Sequence, residues 1–172
     1  MLGYQFELPV VITPALDTFS IGDTISIVSE FSDRVFERNT GDSILLENFE
    51  FFPVLGLKKI DSLVTPAIGN FEVINDIPEV FEANTVLGNF FCEYNYVNRI
   101  YTIRFKLIPL EEGIFSFEIG SPLPIINHGQ DFPGRCSGER ITANFIINNR
   151  ENNYGLFQYT NDPYYYNLLF DQ

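Results

Sequence analysis

The chain has 172 residues, 45% hydrophobic and 19% charged, with 18 Phe and 9 Tyr; that is mass for one domain with its own core, in residue types that suit a pleated, half-buried surface. Twenty-three acidic residues against 10 basic ones give a formal charge of −13, which repels phosphate backbones and anionic lipid, so no nucleic-acid partner is expected. No apolar run approaches the roughly 18 to 20 residues of a membrane-spanning helix, so no membrane insertion is expected either.

Segments of period 2 recur between turn signals, and none sustains a period of 3.6, so the elements read as strands. The first is "YQFELPVVI". The next, "TISIVS", is entered through Gly22-Asp23 and sets Ile25 and Ile27 on one face. "SEFSDRVFERNTGDSILLEN" comes after it as a long connection. In "FEFFPVLGLKKID", Pro53 and Gly56 mark an edge strand, a bulge or two short strands. After "NFEVI" comes the clearest strand, "IYTIRFKLI", with Tyr101, Ile103, Phe105 and Leu107 facing one way and Thr102, Arg104 and Lys106 the other. "IFSFEIG" points Phe115, Phe117 and Ile119 inward, and "RITANFII" does the same with Ile141, Ala143, Phe145 and Ile147. Seven or so short strands without crossover helices predict an all-β fold, an antiparallel β-sandwich.

Residues 1–148 are expected to form the sandwich, and 149–172 a polar break followed by an aromatic segment. Within that segment Asp162 is placed to cap a short helix with Pro163 at its first position, and Tyr165, Leu168 and Leu169 then share a face. Tyr164, Tyr165, Leu168 and Leu169 are expected to pack on the sandwich or on a neighbouring domain.

In "LEEGIFSF", the spacing Glu111-x-Gly113-x-Phe115-x-Phe117 resembles the Asp-x-Gly-x-Tyr-x-Cys corner that opens strand F of immunoglobulin-like domains. "GDTISI" looks like the entry to strand B of the same fold. Phe115 lacks the corner hydroxyl, Phe117 stands where the inter-sheet cysteine belongs, and the chain has no Trp, so the resemblance is to the aromatic-cored modules of bacterial surface proteins rather than to antibody domains. It implies that "IYTIRFKLI", "IFSFEIG" and "RITANFII" are strands E, F and G. The F–G connection then spans 121–139, far longer than the usual hairpin loop of about 2 to 5 residues, and opens at the same end as the B–C connection and "GNFFCEYNYVN". These long loops at one end are the expected contact surface.

The resemblance also brings Cys92 and Cys136 to that end, where a disulfide would imply an oxidising compartment; two free thiols of a reducing one are equally ordinary. No Asn-x-Ser/Thr sequon occurs, which leans towards a bacterial envelope or secreted protein. "MLGYQFELPVV" carries no secretory signal, so an extracellular, periplasmic or cell-surface location presupposes a leader beyond this sequence.

Signatures of catalysis are sparse. His128 and Cys136 match no cysteine-hydrolase pattern, and Glu111-Glu112 are adjacent residues on a turn that point apart. Cys92, His128, Asp131 and Cys136 lack the paired spacing of zinc ligands, and no calcium-binding loop is written in the chain. No catalytic residue, metal or cofactor is therefore expected. The expected function is a non-enzymatic binding or adhesion module with a protein or glycan ligand. The alternative is a carbohydrate-binding module stacking sugars on Phe90, Phe91, Tyr94 and Tyr96, and a hydrolase domain ranks third.

Overall fold

A computed structural model of the chain describes residues 4–16, 18–49, 51, 53–60, 63–76, 81–84, 86, 88–120, 130–131 and 140–147. They fold as strands with one 3-10 turn at Ile68–Asn70. In chain order the strands are β1 (Tyr4–Thr13), β2 (Ile25–Ser32), β3 (Arg34–Glu37), β4 (Ser43–Leu45), β5 (Val54–Lys59), β6 (Thr65–Pro66) and β7 (Phe71–Asn75). They continue with β8 (Phe81–Asn84), β9 (Asn89–Cys92), β10 (Asn95–Val97), β11 (Ile100–Pro109), β12 (Phe115–Gly120), β13 (Gln130–Asp131) and β14 (Arg140–Ile147).

The strands make two sheets. One runs β10-β11-β2-β1-β14-β13, with β7 also on β11 and the β3–β4 hairpin attached to β1; the other runs β12-β5-β9-β8, with β6 also on β5. The alternation in "IYTIRFKLI" is what the fold uses: Tyr101, Ile103, Phe105 and Leu107 are all buried. Phe6, Leu8 and Val10 of β1 and Ile27 of β2 join them in one core with Leu55 and Leu57 of β5, Phe90 of β9 and Ile119 of β12. Apolar residues on alternate positions of both sheets thus close a single β-sandwich core.

Several expectations are corrected. β1 and β14 pair in parallel, with Tyr4 opposite Ile141 and Val10 opposite Ile147; the other ladders among the described residues are antiparallel. β5 is no edge strand, because β12 pairs along one side and β9 and β6 along the other. Pro53 lies just before it, and Gly56 needs no bulge because its backbone pairs with Glu118 and Asn89. The connection after β2 is not a loop but the β3–β4 hairpin. Its turn is held by the buried Glu37, whose carboxylate accepts the Asn39 N–H at 3.0 Å and the Thr40 N–H at 2.7 Å. "GNFFCEYNYVN" likewise supplies β9 and β10 rather than a rim loop, since Phe90 and Cys92 alternate inward.

The corner at Gly113 is held without a tyrosine hydroxyl. Lys59 places its ammonium 5.5 Å from the Phe115 ring centroid and donates to the Glu112 carbonyl at 3.0 Å. Phe115 meets Phe71 edge-on, with centroids 4.9 Å apart. A side chain at Gly113 would start 2.6 Å from Lys59 Cε, so a larger residue there has to push the flexible end of Lys59 aside. Of the expected F–G connection, β13 folds back on β14; the rest of 121–139 and the C-terminal segment 149–172, with its expected helix, lie outside the described residues.

Candidate functional site

Between β2 and β3 the chain breaks for one residue, Asp33, and that break is the centre of the most elaborate polar cluster among the described residues. The Asp33 side chain is 3% exposed. Its carboxylate accepts Arg99 Nε at 2.8 Å and Nη2 at 3.2 Å in a two-pronged pair, and the Tyr96 hydroxyl at 3.1 Å. The backbone repeats the link: the Asp33 N–H donates to the Arg99 carbonyl at 3.0 Å, and the Leu46 N–H donates to the Asp33 carbonyl at 2.7 Å. One residue thereby ties the β2–β3 joint to the β10–β11 turn and to the end of β4.

That turn is the two residues Asn98-Arg99, both at positive φ, 52° and 68°, between the paired Val97 and Ile100. Two left-handed residues make the primed turn that matches the twist of a hairpin, but arginine has no intrinsic taste for that conformation. The double tie to Asp33 holds it there. Arg99 keeps Asp33 below the ordinary carboxylate pKa, against the opposing effect of burial, and the Tyr96 bond acts in the same direction as Arg99. Burial pushes the Tyr96 phenol up, and its bond to the Asp33 carboxylate adds to that.

Beneath this cluster lies an aromatic nest. Tyr101 is wholly buried, its hydroxyl donating to the Leu46 carbonyl and accepting the Phe49 N–H at 2.6 Å, and desolvation pushes its pKa up to about 12. Tyr96 packs on it at 4.5 Å between centroids, Phe31 stacks on it at 5.2 Å and Phe51 meets it edge-on at 5.1 Å. Tyr94 donates to Ser29 Oγ, and Ser29 Oγ donates to the Pro9 carbonyl, each at 2.6 Å. This relay occupies the carbonyl of a residue that brings no N–H to the ladder.

Of the four aromatics expected as a stacking platform, Phe90 and Tyr94 are core residues, 3% and 5% exposed, and present no ring face to a ligand. Phe91 and Tyr96 are half-buried. Cys92 is a buried free thiol on β9, raised to about 12 by desolvation; its expected partner Cys136 lies outside the described residues, as do His128, Tyr164, Tyr165, Leu168 and Leu169. Among the described residues no three His, Cys, Asp or Glu side chains come together to hold a metal ion, and no helix is long and apolar enough to cross a membrane.

Nothing in the sequence singles out Asp33, and Arg99 stands out only as one of three basic residues with Arg104 and Lys106. Of Asn98-Arg99 only the asparagine belongs to the residues that favour a two-residue turn. No local signal, however, pairs that turn with a carboxylate 66 positions away. The cluster is built to hold a shape: each Asp33 oxygen is engaged by a donor, while Arg99 stays 64% exposed beside the exposed Val97. Comparison with protein-family models, curated proteins and solved structures found no match to this chain.

Proposed function

We propose that the chain is an immunoglobulin-like, non-enzymatic binding module of a bacterial envelope or secreted protein, with the β10–β11 end as its contact surface. Support for the fold family comes from sheet order. With β1, β2, β7 and β11 as strands A, B, D and E, the first sheet carries the A-B-E-D order, and β5 and β12 pair as C and F. β14, as strand G, lies against strand A.

The observation that carries the binding reading is the stiffening of one end by long-range polar contacts. Asn48, Asn98 and Arg99, the non-glycine residues at positive φ among those described, all lie there, and strained backbone held by surrounding contacts is a frequent feature of recognition surfaces. The carbohydrate alternative loses support, because two of its four stacking residues are buried. A protein ligand meeting Arg99 and the exposed Val97 two residues before it fits better, since arginine is enriched at contact centres.

The test is an array of extracellular proteins and glycans probed with the whole chain, its Val97→Glu variant and, as a control on the outer sheet face, Val11→Glu. Binding to a protein spot that falls tenfold or more for Val97→Glu and holds for Val11→Glu is the expected result. Binding equally insensitive to both, or confined to glycans, overturns the assignment.

A further inference from the structure

The opposite end of the sandwich is apolar. Leu16 and Ile21 in the β1–β2 connection, Leu63 and Val64 between β5 and β6, and Leu110 after β11 are each between 51% and 77% exposed. Backbone bonds gather the segments that carry them. The Gly22 N–H donates to the Pro109 carbonyl at 3.0 Å, the Leu110 N–H to the Asn70 carbonyl at 2.9 Å, and the Ile60 N–H to the Ile114 carbonyl at 2.8 Å. Lys59, at the end of β5, reaches Glu112 in the β11–β12 turn. Exposed apolar residues scattered singly need no explanation, but a group collected on one pole marks a surface that something covers.

The parallel ladder says where the chain goes after its last described strand. β14 runs beside β1 in the same direction and ends at Ile147, level with Val10; β1 itself reaches the apolar pole three residues later, at Thr13. At about 3.3 Å per residue the chain leaving Ile147 is roughly 10 Å from the pole and headed towards it. Beyond Ile147 the sequence continues with the polar stretch "NNRENN" and then "YGLFQYTNDPYYYNLLF", with seven aromatic and three leucine side chains among its 17 residues. A six-residue spacer spans at most about 20 Å, enough to deliver that segment to the pole.

We propose that residues 154–170 dock on this pole and that Leu16, Ile21, Leu63, Val64 and Leu110 form their seat. Apolar surface on both sides supplies the drive. A short tether supplies an effective concentration in the millimolar range, which favours the chain's own segment over an outside partner. A second copy is the weaker occupant, because two chains of formal charge −13 repel. The inference is independent of the binding reading, which concerns the other end.

Hydrogen–deuterium exchange of the full chain, read by mass spectrometry of peptides covering 154–170, tests it. Peptides from β11 report in parallel that the sandwich stays folded. The expected result is tail protection that drops at least tenfold in the Leu63→Glu/Leu110→Glu double variant and is unchanged in Val97→Glu. A tail that exchanges at the free-chain rate in the unaltered protein overturns the proposal. So does protection insensitive to the double variant, or protection that vanishes on dilution as a dimer dissociates.

Discussion

At the β10–β11 end, groups far apart in sequence close on one another: Asp33 takes Arg99 and Tyr96, and Tyr101 bridges Leu46 and Phe49. At the opposite pole backbone bonds tie turn to turn, with Lys59 as a side-chain clamp, and Leu16, Ile21, Leu63, Val64, Leu110 and Ile114 face solvent. The contrast separates two ways of ending a sandwich. Where buried polar groups satisfy one another, the end is complete in itself and holds a fixed shape; where the last layer is apolar, the end is complete only once another segment lies on it.

The largest test of the contrast is Tyr101. Tyr101→Ala removes the ring around which Phe31, Phe51 and Tyr96 pack and is expected to cost about 3 to 5 kcal/mol, as large-to-small core changes do. Tyr101→Phe keeps the ring but strands the Leu46 carbonyl and the Phe49 N–H, for about 1 to 3 kcal/mol. Urea denaturation measures both. If Tyr101→Phe is neutral, the polar knot is ornamental and the comparison fails at this end.

On the pole side, Gly88→Ala is the next test. Gly88 sits at φ 70°, and an added Cβ would lie 2.8 Å from the Leu57 carbonyl oxygen and 3.0 Å from Pro66 Cα, both backbone atoms that cannot step aside. The left-handed conformation and the clash together are expected to cost about 1 to 3 kcal/mol, read as a drop in the urea midpoint at unchanged slope.

The third test is pH. Arg99 holds Asp33 below its unfolded pKa of about 3.9, so the pair's contribution is present above that value and is lost as pH falls through the folded pKa. Asp33→Asn should therefore be less stable than the unaltered protein at pH 6, with the gap closing below about pH 4. A gap constant from pH 6 to pH 2 would show that the carboxylate's charge is irrelevant to this end.

These residues also mark how far the sequence can be read. Alternation in "IYTIRFKLI" foretells the core face of β11 because a strand buried on one side must alternate, and that rule needs no knowledge of neighbours. None of the three readings offered for Pro53 and Gly56, an edge strand, a bulge or two short strands, holds, because the two residues report only local backbone constraint and freedom, whereas edge or centre is decided by β9 and β12, which come later in the chain. The aromatics of "GNFFCEYNYV" are legible as a cluster, but composition cannot say which side of a strand meets the core. Phe90 and Tyr94 go inward, and the half-buried Tyr96 is the one that reaches Asp33. Asp33 itself is an ordinary acidic residue until the fold brings Arg99 to it.

The smallest effect belongs to the Gly113 corner. Its ammonium clamp joins an ion pair to Glu111 at 3.4 Å, a bond to the Glu112 carbonyl and a cation–π contact with Phe115, and the Glu111 side chain is half exposed. Water screens such pairs, so Lys59→Met, which keeps most of the stem's packing, should cost only about 0.5 to 1 kcal/mol in urea. Adding about 1 M salt should leave the difference nearly unchanged if the ring and carbonyl contacts dominate, and shrink it if the Glu111 pair does. A loss as large as that of Tyr101→Phe would mean that the pole, too, is closed by a side-chain knot, and the two ends would no longer differ in kind.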